Sequence, residues 1–265
     1  MQRSLAWRGG PINPPAGAVG STGRTLDEIY DKIPSTGASD GRIPIAGGTT
    51  SVTLSEPGSY VLTGNLRGTA GTNAVTIQSD DVDLDLNGFV ITSSSATLTT
   101  VVAGGFRGVR VRNGVIREGY YGLDVSLGIG WTVENMRFER CRWSSIRFNG
   151  GSGHVIRACM VLDTGAITLA SDSLNVNAVF INGSGAAVSD TTVFNVINNG
   201  SGGRIAFAVG ASTSLANSLS RCTAAASTAV VGIGISVGGT GGYRDCTVGN
   251  FAVNYSGGTS LGGNL

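Results

Sequence analysis

The 265-residue chain is poor in the residues on which many charge-driven functions depend. Lys32 is its only lysine, His154 is its only histidine, and charged residues make up 13% of the sequence. Because the remaining cations are arginines interleaved with glutamates, the composition argues against nucleic-acid binding. A single histidine also argues against a metal site built from histidines. Since His154 follows Gly-Ser-Gly, we expect it on a solvated loop.

Long apolar segments are also missing. No run approaches the roughly 20 residues that a membrane helix needs, so no membrane span is predicted. Residues 1–20 lack the apolar centre of a signal peptide. Glycine, in contrast, is abundant at 43 residues, and hydrophobic residues reach 41%. With a net charge of +1, this composition is typical of a folded chain rather than a disordered one.

A strict alternation of apolar and acidic residues marks residues 81–86, where Asp81, Asp83 and Asp85 alternate with valine and leucine. A period of two places the carboxylates on one face of a strand and the aliphatic side chains on the other. The strand is followed by Asn-Gly, which is a turn signal. Residues 109–116 and 131–138 repeat the same pattern.

Looser copies of this unit continue to the end of the chain, with candidate strands at residues 155–161, 176–181, 193–197, 219–223 and 243–248. Irregular repeats of this length without helices predict an all-β fold, a right-handed parallel β-helix (solenoid) of about eight or nine coils. One coil cannot bury its own apolar face, whereas stacked coils form a continuous core.

The first residues do not share this pattern. Residues 1–23 are rich in glycine and proline and predict an extended arm. Residues 24–34 predict a short amphipathic helix that starts with a capping box at Thr25 and Glu28 and ends at Pro34. We therefore expect an arm and capping helix over residues 1–46 and a β-helix over residues 47–265.

Stacking of the repeats predicts an outward ladder of alternating charge. If Leu84 lies on Val109, Asp85 neighbours Arg110, and further along Arg112 neighbours Glu134, which neighbours Arg157. Such cross-strand pairs contribute about 0.2–1 kcal/mol each. In such pairs, the arginines would stabilise the fold rather than bind a ligand.

The four cysteines are spaced unlike zinc ligands, which occur in close Cys-x-x-Cys pairs. Cys141 and Cys159 are 18 residues apart, and Cys222 and Cys246 are 24 apart, so each pair could occupy adjacent coils. Stacked Cα atoms about 4.8 Å apart lie within the range of a disulfide. We expect free, buried thiols, because cysteine behaves as a small hydrophobic residue.

Residues 60–66, 82–89 and 111–117 carry a resemblance to right-handed parallel β-helix proteins of the pectate-lyase-like superfamily, of the kind found in secreted bacterial proteins and phage tailspikes. The resemblance covers roughly residues 48–255. It implies the fold, whereas the superfamily includes lyases, hydrolases, epimerases, tailspikes and non-enzymatic surface proteins.

The resemblance also implies where a lyase site would lie. Lyases of this superfamily use an arginine or lysine as base and a cation, often Ca²⁺, to neutralise the substrate carboxylate. The basic band, residues 105–157, holds nine arginines and four acids. Its catalytic candidates are Arg110, Arg112 and Arg137; its ligand-binding candidates are Arg107, Arg117, Arg140, Arg142, Arg147, Tyr120, Tyr121 and Trp143. Asp81, Asp83 and Asp85 are the candidates for Ca²⁺, although the following coil places arginines beside them.

Two functions remain open. The first is a non-enzymatic extracellular or surface β-helix that acts as a stable scaffold or carbohydrate-binding spike, without a cofactor. The alternative is a polysaccharide lyase acting on acidic polysaccharide through an arginine-rich face lined with aromatic residues. In both cases we expect a location outside the cell or on a cell or virion surface, with any signal peptide outside this sequence. The surface of the last coils carries few charges, which predicts self-association as a homotrimer.

Overall fold

The computed structural model describes residues 41–210 and 215–265. The predicted arm over residues 1–23 and the predicted helix over residues 24–34 lie outside the described residues. None of the described segments forms a helix with the length and hydrophobicity required to cross a membrane.

The described residues form 24 strands joined in one continuous parallel ladder. In chain order these are β1 (Ile43–Ile45), β2 (Gly48–Thr49), β3 (Val52–Leu54), β4 (Gly58–Leu62), β5 (Leu66–Arg67), β6 (Val75–Ile77), β7 (Val82–Asp85), β8 (Val90–Thr92), β9 (Val101–Ala103), β10 (Arg110–Arg117), β11 (Tyr121–Ser126) and β12 (Thr132–Glu139). They continue as β13 (Ser144–Ser152), β14 (Val155–Arg157), β15 (Met160–Thr164), β16 (Val176–Ser184), β17 (Ala187–Ser189), β18 (Thr192–Val196), β19 (Arg204–Val209), β20 (Ser218–Ser220), β21 (Thr223–Val237), β22 (Gly242–Arg244), β23 (Thr247–Ser256) and β24 (Thr259–Ser260).

Strand pairing divides this ladder into three faces, and successive coils add one strand to each. Sheet 1 contains β1, β4, β7, the first halves of β10 and β12, and then β14, β17, β20, β22 and β24. Sheet 2 contains β2, β5, β8, the second halves of β10 and β12, β15, β18 and the starts of β21 and β23. Sheet 3 contains β3, β6, β9, β11, β13, β16, β19 and the ends of β21 and β23. The predicted parallel β-helix is confirmed, and its strands begin at Ile43.

The core is a stack of the inward residues of these sheets. On sheet 1, Leu84, Val111, Val133 and Ile156 follow one another in register from coil to coil, and all four are fully buried. Their neighbours along the strands point outward, as the period of two predicts.

As predicted, a strand ends before the first Asn-Gly pair, which forms the corner between β7 and β8, whereas β10 continues through the same corner at Asn113. Asn87, Asn113 and Asn135 have φ angles of 49°, 59° and 51°. Asparagine tolerates this left-handed conformation better than most residues. The strands predicted at residues 155–161, 219–223 and 243–248 are likewise each divided by one left-handed residue, as at Ala158.

The predicted charge ladder lies on the outer surface of sheet 1. The order of Arg112, Glu134 and Arg157 is confirmed. The predicted neighbour of Asp85 was wrong, because Asp85 lies opposite Arg112, and Leu84 lies on Val111. A shift of two residues preserves an alternating pattern, so the pattern alone could not fix this register.

All four cysteines are buried and free, as predicted. The expected stacking of Cys141 on Cys159 was wrong. Cys159 follows the corner between sheets 1 and 2, where its backbone N–H lies 3.5 Å from Thr191 Oγ1 in the next coil. Cys141 lies beyond sheet 2 at a different corner of the coil. Because the loops differ in length from coil to coil, the 18 residues between Cys141 and Cys159 do not correspond to one complete coil.

His154 is a core residue, so its predicted place on a solvated loop was wrong. Its ring is fully buried and stacks on Phe148, with centroids 4.1 Å apart and planes at 12°. Nε2 lies 3.2 Å from the carbonyl oxygen of Gly150, whereas Nδ1 has no partner. Burial lowers the pKa of His154, because the interior disfavours the imidazolium.

Burial of His154 predicts a loss of stability in mild acid. The unfolded chain takes up the proton near pH 6.5, while the folded protein resists it. The free energy of unfolding should therefore fall as the pH drops below about 6.5, by at most about 1.4 kcal/mol per pH unit. Urea unfolding between pH 7.5 and 5.5 measures this slope. His154→Gln should flatten it, and an unchanged slope in that variant would assign the effect to other groups.

Candidate functional site

The structure spreads the predicted site residues around the coil instead of gathering them on one face. Arg110 and Arg112 lie on sheet 1, Arg117 and Arg137 on sheet 2, and Tyr121 and Arg147 on sheet 3. Tyr120, Arg140, Arg142 and Trp143 lie around the corner between sheets 2 and 3, and Arg107 lies between sheets 3 and 1. A site on this protein therefore uses only part of the basic band.

The arginines of sheet 1 form ion pairs with neighbouring coils. Arg112 lies 3.0 Å from both Asp83 and Asp85, and the hydrogen bond to Asp83 is the main cause of its raised pKa. Arg110 lies 2.6 Å from Glu134. These cations are already neutralised by carboxylates.

Sheet 2 shows the same arrangement around Glu139. Arg117 Nε lies 2.7 Å from this carboxylate, and Arg137 pairs with its other oxygen. Burial alone would raise the pKa of Glu139, but the hydrogen bonds from the two arginines outweigh it and lower the pKa.

The three Ca²⁺ candidates have other partners or positions. Asp83 and Asp85 bind Arg112, and Asp85 also accepts the backbone N–H of Asn87 at 2.8 Å. Asp81 lies at a left-handed position with a φ of 54° just before β7. Within residues 41–210 and 215–265, no group of three or more histidine, cysteine or acidic side chains could hold a metal ion.

Sheet 3 carries an open pocket on its outer surface. It encloses about 220 Å³ and is lined by Tyr121, Trp143, Ser144, Arg147, Leu174, Asn175, Asn177 and Phe180. Three successive coils build it, since Tyr121 is in register with Ser144 and Arg147 with Phe180. The backbone N–H of Asn177 donates to the carbonyl of Trp143 at 2.9 Å. We call these eight residues the sheet 3 pocket.

Aromatic rings form one end of the sheet 3 pocket. Tyr120 packs edge-on against Tyr121, with centroids 4.7 Å apart, and against Trp143 at 6.0 Å. Tyr120 thereby supports the two rings that line the pocket. Such rings offer flat apolar faces.

One guanidinium dominates the electrostatics of the pocket. Arg147 lies 4.8 Å from the ring centroid of Tyr121 and donates to Asp124 Oδ1 at 2.9 Å. Burial raises the pKa of Asp124 although Arg147 opposes the shift. Burial also raises the pKa of Tyr121, so its phenol stays protonated at neutral pH.

Leu174 and Asn175, at the end of the loop of residues 165–175, form the far wall, and side chains from the neighbouring coils hold this part of the loop. Arg142 donates to Asp172 at 2.8 Å, and Asp172 accepts the N–H of Leu169 at 2.7 Å. The amide of Asn198, from the next coil, donates to the carbonyl of Leu174 at 3.1 Å. The guanidinium of Arg142 also lies 5.4 Å from the ring centroid of Trp143. The wall is therefore preorganised.

Two buried polar atoms beside the pocket have no hydrogen-bond partner, Trp143 Nε1 and Asn177 Oδ1. An unsatisfied buried polar atom costs about 1–3 kcal/mol. Each such atom calls for an explanation, and a ligand or water bound in the pocket would supply the missing hydrogen bond. Here, both belong to residues of the sheet 3 pocket.

Sequence reasoning found Tyr121, Trp143 and Arg147 but missed the residues contributed by the following coil. Leu174 and Asn175 lie in a loop without a repeat pattern, and Asn177 and Phe180 lie in β16. The one signal that could have found them was an outward aromatic residue in a strand of otherwise small side chains.

No family model and no curated protein matches the chain. Among solved structures, it resembles an alginate lyase from Paenibacillus sp. str. FPU-7 at 12% identity and a TM-score of 0.43, over 82% of this chain and 99% of that one. It also resembles the Agl-KA catalytic domain at 16% identity and a TM-score of 0.36, over 96% of this chain and 68% of that one. At these values, the likeness does not extend to activity or substrate.

Proposed function

We propose that this β-helix binds polysaccharide in the sheet 3 pocket as a non-enzymatic surface protein. The observation that carries the proposal is the lining of the pocket, in which aromatic rings surround one arginine and two asparagine side chains. The apolar faces of sugar rings pack on aromatic side chains, while hydroxyl groups bond to amides. A volume of about 220 Å³ holds little more than one sugar ring, so neighbouring sugars would extend along the outer surface.

An acidic polysaccharide fits the charge of the site best. The guanidinium of Arg147 presents several donors in the planar geometry that a carboxylate accepts. Arg142, beside Trp143, is paired with Asp172 and adds little net charge. Asp124 offsets part of the charge of Arg147. An incoming carboxylate would compete with Asp124 for Arg147.

Substitution of the pocket aromatics tests the proposal. Tyr121→Ala and Phe180→Ala should each weaken binding by about 30-fold, because a packed aromatic anchor contributes about 2 kcal/mol. Calorimetry against polyuronates, a sulfated glycan and a neutral glucan, with and without Ca²⁺, provides the measurement. Phe194→Ala is the matched control, since Phe194 is an exposed aromatic residue on sheet 2. Equal loss in the control, or no binding to any glycan, would contradict the proposal.

The second candidate is a polysaccharide lyase, which the pairing of Tyr121 with Arg147 favours. In β-elimination, a base removes the proton beside the uronate carboxylate, the bond to the leaving oxygen breaks, and an acid protonates that oxygen. Arg147 would neutralise the substrate carboxylate, and Asp124 beside it would take up the proton as the base. Tyr121, which is protonated at neutral pH, would give its proton to the leaving oxygen. Ultraviolet absorbance of the unsaturated product separates the two functions. Loss of that absorbance in Tyr121→Phe but not in Arg110→Ala would establish a lyase on sheet 3. If the native protein forms no absorbing product, only the binding function stands.

Self-association into a homotrimer and an extracellular or surface location complete the proposal. Met160 and Phe194 are large exposed apolar residues on adjacent strands of sheet 2, where Phe194 lies two positions beyond the residue opposite Met160. Because sheet 3 lies on another side of the coil, association through sheet 2 would leave the pocket open. Light scattering at micromolar concentration should give the mass of a trimer, and the mass of a monomer would contradict this prediction.

A further inference from the structure

A pair of thiols near the C-terminal end of the β-helix is built for a covalent link. Cys222 and Cys246 follow the same left-handed corner in successive coils, after Arg221 at φ 51° and Asp245 at φ 52°. The next residues, Thr223 and Thr247, are in register. The N–H of Thr247 donates to the carbonyl of Cys222 at 2.9 Å. The two Cα atoms are therefore one strand spacing apart, about 4.8 Å, inside the range that a disulfide spans.

The two side chains also share one orientation. Cys222 Sγ lies 3.4 Å from the carbonyl oxygen of Ser220, and Cys246 Sγ lies 3.2 Å from that of Arg244, in each case two residues earlier. Equal orientation places one sulfur above the other.

The other two cysteines have no such neighbour. Cys159 belongs to the same row, but Thr191 stands between it and Cys222, which separates the sulfurs by about two strand spacings. Burial raises the pKa of Cys141 and of Cys159 to about 12 in both cases, so these thiols are unreactive. In contrast, the hydrogen bond between the two thiols lowers the pKa of Cys246 and raises that of Cys222, so Cys246 is the more acidic member of the pair.

We propose that Cys222 and Cys246 form a disulfide under oxidising conditions and that this bond fastens successive coils together. With glutathione disulfide as oxidant, the Cys246 thiolate attacks one sulfur, forms a mixed disulfide and releases one glutathione thiolate. Cys222 then gives up its proton and attacks Cys246 Sγ, which releases the second glutathione. Two electrons pass from the protein to the reagent, and the two protons end on the two glutathione thiols.

The route to Cys246 passes under the last residues of the chain. The N–H of Cys246 donates to Asn264 Oδ1 at 3.0 Å, and its carbonyl accepts the N–H of Leu265 at 2.9 Å. Leu261 and Leu265 are themselves largely exposed. We therefore expect oxidation to be slow in the folded protein and fast during oxidative refolding.

Thiol counting and mass spectrometry test this pair. The full chain is incubated with glutathione disulfide, both folded and during refolding from denaturant. Refolded protein should lose two of its four free thiols and about 2 Da, with a peptide linking Cys222 to Cys246. The bond should raise Tm by about 5 °C or more, because it closes a loop in the unfolded chain.

Matched variants assign the bond. Cys141→Ser and Cys159→Ser should still lose two thiols, whereas Cys246→Ser should lose none to an internal bond and should show no rise in Tm. Four free thiols after oxidative refolding, a lasting glutathione adduct on Cys246, or a bond that includes Cys141 or Cys159 would each overturn the proposal. None of these outcomes bears on glycan binding at sheet 3.

Discussion

Arg147→Met is expected to weaken binding of an acidic polysaccharide by about 10- to 100-fold, because a charge-assisted hydrogen bond contributes about 1.5–3 kcal/mol. The substitution also leaves Asp124 without its partner at 2.9 Å. This second effect places an uncompensated carboxylate beside the pocket and repels an anionic ligand. Binding of a neutral glucan should change much less.

The effect of Asp124 separates these two contributions. Asp124→Asn frees Arg147 from its partner and should strengthen binding of an acidic ligand by about threefold to tenfold. The double variant should bind better than Arg147→Met and worse than the native protein. Additive effects would give the same order, so the coupling is measured by comparing two factors. Asp124→Asn should change affinity by a different factor in Arg147→Met than in the native protein, and equal factors would mean that the two residues act independently.

The same pair predicts how binding depends on pH. Burial holds the pKa of Asp124 above its usual value, so the carboxyl takes up a proton as the pH falls toward that pKa and releases Arg147. Affinity in the native protein should therefore rise as the pH is lowered from 7.5, until the ligand itself becomes protonated. Asp124→Asn should abolish the rise.

Calorimetry at low and high salt measures these affinities. Arg117→Met is the control, because Arg117 likewise forms an ion pair with a carboxylate, that of Glu139, but lies on sheet 2. Unchanged affinity in Arg147→Met, or an equal loss in Arg117→Met, would show that the sheet 3 pocket is not the acidic binding site.

The fold could be predicted because local and repeated patterns agree. Alternation in residues 81–86 places Leu84 inside and Asp83 outside, and the structure confirms both positions. Alternation within strands does not reveal how many residues the loops on either side of β9 contain. The partner of Asp85 was consequently misplaced by two positions along the strand, while the more regular step from Arg112 to Glu134 was predicted correctly.

The site could be predicted only in part, because the pocket is lined by residues that are distant in sequence and are brought together by the stacking of successive coils. Tyr121 and Arg147 stand out in the sequence as an aromatic residue and a cation in a basic band. Their partners Asn177 and Phe180 reach the same pocket through a loop of irregular length. Conversely, Arg110 and Arg137 are close in sequence to the pocket residues but turn to other faces of the coil. The register between successive coils decides which of these residues reach the pocket and which lie on other sheets.

Gly114→Ala is expected to destabilise the β-helix strongly, although it adds only one methyl group. A Cβ atom at Gly114 would lie 2.3 Å from Cβ of Leu86 and 2.7 Å from the carbonyl oxygen of Phe89. Leu86 is fully buried, and the N–H of Phe89 is bonded to the carbonyl of Leu86 at 2.8 Å. Neither neighbour can move without separating two coils. The second residue of this Asn-Gly pair is therefore fixed by close packing, while Asn113 supplies the left-handed corner.

We expect Gly114→Ala to lower the free energy of unfolding by about 3 kcal/mol or more, which corresponds to a fall in Tm of about 6–12 °C. Gly249→Ala is the matched control, since Gly249 also lies on sheet 2 and a Cβ atom there would meet nothing within 4 Å. Its Tm should stay within about 2 °C of the native value, because exposed substitutions cost at most about 0.5 kcal/mol. Thermal unfolding followed by circular dichroism measures both variants. If Gly114→Ala unfolds at the temperature of Gly249→Ala, the coils are not packed as closely at this corner as the distances to Leu86 and Phe89 require.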